Sequence, residues 1–317
     1  FHVFWAMMGT YVLLRNSEFG IRITKLSAWV GGVIFGLSGF FIARTWAGHV
    51  DVIAAASWMP WVVAAFRRLA DKRAWGTWGD KGSIAIAAGI FAMQLLAGYQ
   101  TMAFMTVIVV GFVTLLLCYF ERSWKPILRA GLAGIAGLGL AAFHLLPVQE
   151  FVRSSIRTFS LPYIWHSYGA IEWRSILQLL NPFQFGNQFT YTGPPPNFIE
   201  HAMFVGVGGI LLGVLGVLGG IRGVRGKAFF LITLFGFWVS LGPNAPVDLQ
   251  YLLWKYVPMY QYLRIPSRHL VLVVFGLAGL VGIGLDRLPR SLKVLRLPIV
   301  GIIVVEMVLF ARGFIEL

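Results

Sequence analysis

Charge is what this 317-residue chain has least of. Only 12% of its residues are Asp, Glu, Lys or Arg, while 58% are hydrophobic and the mean hydropathy is +0.78. Soluble domains carry about 25% charged residues. So thin a supply cannot coat a globule of this size, which excludes a water-soluble enzyme and equally a disordered or fibrous chain. Acidic residues are scarcer than basic ones, 12 against 26, for a net charge of +14. The single cysteine, Cys118, lies inside an apolar run, so neither a disulfide framework nor a Cys metal cluster is available. Familiar catalytic signatures are missing too. Gly223-Val224-Arg225-Gly226-Lys227-Ala228 lacks the glycine spacing and the Ser/Thr of a P-loop, and there is no HExxH, GxSxG or Asp-x-Asp. An ATPase, a zinc protease and a nucleotide-sugar enzyme with an Asp-x-Asp site are thereby disfavoured.

What the chain has is apolar length. Spanning a bilayer takes about 20 mostly apolar residues. Ten segments qualify or nearly so: 1–14 (incomplete), 27–43, 50–66, 82–97, 101–120, 129–149, 202–221, 228–243, 269–285 and 297–313. The expected fold is an all-α polytopic membrane protein of about ten transmembrane helices, forming one domain over 1–317. The chain starts at Phe1 in mid-run and stops shortly after Arg312-Gly313-Phe314, so it reads as an internal piece of a longer protein. Two long connections, 150–201 and 244–268, carry stretches that read as short helices lying on the membrane, Ile171–Leu180 and Leu249–Tyr256. Gly193-Pro194-Pro195-Pro196 reads as a non-helical link into the next span.

The basic excess has a simple location. With Arg129 included, the short loops 15–26, 67–81, 121–128, 222–227 and 286–296 hold 18 of the 26 Lys and Arg residues. Short loops rich in Lys and Arg stay cytoplasmic. The charge therefore orients the protein, and nucleic acid is not needed to explain it. In that orientation His2, His49, His144, His166, His201 and His269 fall at external helix ends, as do Asp51, Glu150, Glu172, Glu200 and Asp248. A site belongs there.

Four clusters are candidates, each with a plainer alternative. Arg44 with His49 and Asp51 forms a polar lip for an anionic or sugar ligand, or else a turn whose groups satisfy neighbouring helices. Glu150, Arg153 and Arg157 share one face if their helix continues, which makes either a phosphate-binding fork with a base or ordinary helix support. Glu200 and His201 open a span, where the helix dipole alone favours an acid. Arg264 and Arg268 flank Pro266 and suit bidentate phosphate binding, or else bridge to Glu150 or Glu200. If these groups form one site, Asp51, Glu150, Arg157, Glu200 and Arg268 should converge. Glu306, alone in the last span, is the one argument for proton-coupled transport.

Short motifs in order carry a resemblance. Gly9-Thr10-Tyr11-Val12-Leu13-Leu14-Arg15, Leu37-Ser38-Gly39-Phe40, Gly48-His49 and Trp58-Met59-Pro60 resemble the N-terminal half of bacterial YfhO-type membrane proteins. Ala97-Gly98-Tyr99-Gln100, Leu146-Pro147 with Glu150, Asn181-Pro182, Gly186, Arg264-Ile265-Pro266-Ser267-Arg268 and Gly282-Ile283-Gly284-Leu285 continue the pattern, with Tyr99 where the family often has His. Such proteins are similar to GT-C glycosyltransferases. The resemblance implies sugar transfer from a polyprenyl-phosphate carrier to a cell-envelope glycan or lipid, on the outer face of the bacterial inner membrane. It also implies a catalytic acid in an external loop ahead of Phe1. Within this chain the expectation assigns Arg157, Arg264 and Arg268 to phosphate. Glu150, His49 and Asp51 go to the acceptor or sugar, and Arg44, Glu200 and His201 to the substrate cavity. No soluble cofactor is implied, and a divalent metal has no ligand motif behind it. The rival expectation is a transporter or flippase for an anionic lipid or glycolipid.

Overall fold

Away from water an unbroken apolar run satisfies its own backbone only as helix, and each of the ten apolar segments is helical over most of its length. The computed structural model describes residues 1–15, 23–69, 75–155, 161–221 and 223–314. In chain order the first helices are α1 (His2–Arg15), α2 (Lys25–Gly36), α3 (Gly39–Trp46), α4 (Val50–Ser57), α5 (Met59–Arg68), α6 (Trp75–Leu96) and α7 (Gln100–Glu121). Then come α8 (Lys125–Leu140), α9 (Ala142–Arg153), α10 (Tyr163–His166), α11 (Phe198–His201) and α12 (Val207–Gly220). The last are α13 (Val224–Leu241), α14 (Leu249–Tyr256), α15 (Leu270–Asp286) and α16 (Arg296–Arg312). Among the described residues there is no strand, only an isolated bridge between Gln184 and Gly186.

Length separates these helices. Five are long and apolar enough to cross a membrane: Val50–Arg68, Gln100–Glu121, Gly226–Asn244, Pro266–Asp286 and Ser291–Arg312. Two bent pairs raise the number to seven, α2 with α3 at 40° and α8 with α9 at 74°. The stretches Lys81–Leu96 and Val207–Gly220 are apolar but shorter. Among the described residues this is a multi-pass arrangement with five to seven candidate full-length spans by length and composition.

The expected span over 202–221 is shortened by a local break at 202–206. There the expected helix gives way to extended, buried backbone, with Gly206 at φ +80 where a side chain would be strained. The strip fits the break between α2 and α3: Gly39 N–H donates to Phe204 O at 2.7 Å, and a Cβ on Gly39 would meet Phe204 N at 2.7 Å. Irregular backbone inside a membrane protein survives only where protein satisfies it.

α15 is apolar on every face and lies at the centre, packed against α12, α13 and α2. Its approach to α12 depends on glycine. A Cβ on Gly216 would collide with Leu280 O, and one on Gly284 with Leu212 O.

The basic loops gather at one end. Asp286 Oδ1 accepts from Thr24 N at 3.1 Å and Ser27 Oγ at 3.4 Å, tying the end of α15 to the start of α2. Arg129 reaches Leu69 O at 3.3 Å, Lys227 lies 5.5 Å from the Phe120 ring, and Arg287 lies against Gly219. The opposite end holds the two long connections. Trp173–Leu179 there forms a 3₁₀ helix closed by a Glu172/Ser175 capping box, and Asp248 caps α14 by accepting from Tyr251 N at 2.9 Å.

Candidate functional site

At the end opposite the basic loops, three elements far apart in sequence deliver charge to one buried point. The break after α2 turns α3 inward. Arg44, in its last turn, is 1% exposed and its guanidinium lies 3.8 Å over the Phe40 ring. Asn197 caps α11, its Oδ1 accepting from Glu200 N at 3.1 Å, which fixes the carboxylate toward the core. Ile265 then sits at φ +67, a left-handed conformation that a β-branched residue adopts only under constraint. It precedes the 3₁₀ turn Pro266–His269, anchored by Ser267 N to Gly169 O at 3.3 Å, and this turn presents Arg268.

Glu200 joins the two arginines. Arg44 Nη2 donates to Oε2 at 2.7 Å, and Arg268 Nη2 donates to Oε1 at 3.0 Å with Nε at 3.4 Å. Arg44 Nη1 donates to Ile199 O at 3.1 Å and Phe40 O at 3.4 Å. Burial works against an ionised Glu200, but Arg44 and then Arg268 outweigh it and hold its pKa down at about 2. With both arginines charged the cluster carries one net positive charge. Glu200 is therefore a poor base and a good clamp.

The cluster has an open side. Arg268 is 23% exposed and lies 5.5 Å from the ring of Tyr99, the residue that caps α7. His49, at the start of α4, is within electrostatic reach of Glu200, and outward-facing Asp51 is within reach of Arg268. Chemically this is a positively charged edge with a carboxylate beside it.

Of the five residues expected to converge, Glu200 and Arg268 are in contact and Asp51 is within electrostatic reach of Arg268; Arg44, from another candidate cluster, joins them. Glu150 does not join: it is exposed on α9, a helix with no buried residue that bends 74° away from α8. The continuous face through 150, 153 and 157 is also corrected. The helix stops at Arg153, where Ser154 N bonds back to Glu150 O at 3.2 Å, and Arg157 lies outside the described residues. Salt bridging to Glu200 accounts for Arg268, one of the two alternatives the sequence left open. Arg264 stands apart, its guanidinium 4.5 Å from the Trp165 ring and 5.4 Å from that of Tyr168. His201 is buried beside Glu200 but turns away, Nδ1 lying 3.1 Å from Tyr191 Oη, and burial lowers its pKa to about 4. It is a neutral packing group here.

Two features escaped the sequence reading. Glu306 is not a free buried acid: its Oε2 accepts from Gly208 N at 3.1 Å, so it caps the N-terminus of α12. The second is a buried chain. His166 Nε2 lies 2.8 Å from Gln250 Nε2, Tyr260 Oη donates to Gln250 Oε1 at 2.5 Å, and Tyr260 Oη is 3.0 Å from His269 Nε2. It pins the long connections to the start of α15. Burial and Asp248 raise the pKa of Tyr260 far above its usual value although Gln250 pulls it down, so the chain is a neutral structural tie. Among the described residues no group of three or more His, Cys, Asp or Glu could hold a metal ion.

The chain has no significant match among protein-family profiles, curated proteins or solved structures.

Proposed function

We propose that the protein is a membrane glycosyltransferase with a GT-C-like arrangement of about ten membrane-embedded segments. It works at the exoplasmic face of a bacterial inner membrane, taking a sugar from a polyprenyl-phosphate carrier to a cell-envelope glycan or lipid. The observation that carries this reading is the Arg44–Glu200–Arg268 cluster with Asp51 at its open side. Glycosyl transfer needs two opposite functions side by side. The acceptor hydroxyl must lose a proton to a carboxylate as it attacks the anomeric carbon. The carrier phosphate must be held as the glycosidic bond breaks and charge grows on its oxygen.

Glu200 fixes both guanidiniums in place, and the exposed side of Arg268 receives the phosphate. Asp51 is the carboxylate of this chain that can accept the proton, because Glu200 is held ionised by two arginines. His49 completes the acceptor side. The transport reading loses its main support, since Glu306 is engaged by a helix N-terminus.

The test is sugar transfer from a radiolabelled polyprenyl-phosphate sugar by full-length protein in vesicles. Asp51→Asn should lower turnover while leaving carrier binding within about twofold of wild type, the signature of an interaction made only in the transition state. Unchanged turnover in Asp51→Asn would remove the base from this chain.

A further inference from the structure

Arg264 is a cation without an acid. The nearby acids of its end are engaged elsewhere: Glu200 by Arg44 and Arg268, Glu172 by Arg174, and Asp248 by the Tyr163 hydroxyl and the N–H of Tyr251. Among the described residues the Arg264 guanidinium makes neither a hydrogen bond nor an ion pair, and its Nε is shielded from water without a partner. Its charge rests instead against two rings, Trp165 at 4.5 Å and Tyr168 at 5.4 Å. Ring faces attract the charge but leave the guanidinium's N–H donors short of oxygen acceptors. The rings themselves are held firmly. On either side of Trp165 in α10, Tyr163 Oη donates to Asp248 Oδ2 at 2.6 Å and His166 Nε2 lies 2.8 Å from Gln250 Nε2. Gly169, which follows Tyr168 at φ +85, accepts from Ser267 N at 3.3 Å and fastens this segment to the turn after Arg264.

The surface beside this cation chooses among anions. Ile164 is 79% exposed, Tyr168 43%, Met259 69% and Tyr262 41%, all in the two segments that carry the rings and Arg264. Tyr and Trp collect at headgroup depth, and apolar side chains turned outward there face lipid. The oxygen acceptors found at that depth belong to lipid phosphates, and a guanidinium takes two such oxygens side by side. A zwitterionic headgroup brings a second cation toward Arg264, where no acid stands to receive it, and an anionic headgroup does not. We infer that Arg264, framed by Trp165 and Tyr168, binds the phosphate of an anionic phospholipid in the leaflet opposite the basic loops. This site is separate from the Glu200 cluster and takes no part in its sugar chemistry.

Full-length protein in vesicles is irradiated with phosphatidylglycerol or phosphatidylcholine carrying a diazirine at the top of one acyl chain, and cross-links to peptides spanning 161–169 and 259–264 are counted. The local readout keeps the basic loops at the other end out of the result. In the wild type phosphatidylglycerol should give about fivefold more of these cross-links than phosphatidylcholine, the effect of one basic group on an anionic lipid. Arg264→Gln should bring the two yields level, and Arg264→Lys, which keeps the charge but not the planar fork, should retain part of the preference. Arg174→Gln removes an exposed guanidinium of the same end that already has its acid, and should change nothing. Equal yields from the two lipids in the wild type would overturn the inference, and so would a preference that survives in Arg264→Gln. Loss of the phosphatidylglycerol cross-links on adding excess inorganic phosphate would overturn it too, since a free anion would then be the ligand. No sugar donor is present, so these outcomes leave the transfer reading untouched.

Discussion

Glu200→Gln is the substitution that strains the account most. It keeps the shape of the side chain and removes the one negative charge between a buried guanidinium and a half-buried one. Breaking a buried ion pair by removing one partner costs about 3–5 kcal/mol, because the other charge is left uncompensated. Arg44, at 1% exposure, bears most of that cost, while Arg268, at 23%, recovers part of its hydration. The expected loss is about 3–5 kcal/mol, read as a lowered thermal midpoint of the detergent-purified protein. Glu200→Gln/Arg44→Met should regain much of it, since a buried pair replaced by apolar groups is often neutral.

The pH dependence has a definite sign. Glu200 has a folded pKa of about 2, below the usual carboxylate value of about 4.3, so its contribution is complete above the latter and fades as pH falls toward 2. The gap between wild type and Glu200→Gln should be constant above about pH 5 and shrink below pH 4. A Glu200→Gln protein with the wild-type midpoint at pH 7 would refute the reasoning, because two arginines cannot lose their buried counter-charge at no cost.

Other substitutions address separate parts of the structure. Cysteines at Ser123 and Asn197, in a protein with Cys118 replaced by Ala, should react with an impermeant thiol reagent from opposite sides of the membrane; labelling from one side would reverse the orientation. Glu306→Gln should cost only about 1 kcal/mol, the range of a lost helix cap, and leave sugar transfer intact; abolished function at normal expression would restore the proton-coupling role. Gly216→Val should destabilise by at least about 1–3 kcal/mol, as overpacking does, because its Cβ would run into Leu280 O; a normal melt would mean that α12 and α15 are not so close. Arg268→Lys should impair transfer nearly as much as Arg268→Gln, since Lys cannot reproduce the bonds that Nη2 and Nε make to one carboxylate oxygen.

Helices were legible in the sequence because apolar length needs no tertiary context, and α15, apolar all round, announced its own burial. The break at the start of α12 was not legible. Residues 202–206 are apolar like their neighbours, and what makes them extended is the gap left by the α2–α3 break 165 residues earlier, visible only as the isolated signals Gly39 and Gly206. Arg44, Glu200 and Arg268 were each conspicuous as ionisable groups near lipid, yet their partnership depends on how α3, α11 and the 266–269 turn pack. Glu306 shows the limit most clearly: its partner is the backbone N–H of Gly208, which no pattern of side chains reveals. Glu150 misled because its spacing from Arg153 and Arg157 assumed a helix that stops at Arg153.

The most direct test of the glycosyltransferase assignment is transfer of labelled sugar from a polyprenyl-phosphate carrier by full-length protein in vesicles, wild type beside Arg264→Gln/Arg268→Gln at matched expression. The account predicts lipid-linked sugar consumed and labelled acceptor formed by the wild type, with turnover lost in the double variant. Consumption of no carrier by the wild type, or full turnover in the double variant, would contradict it.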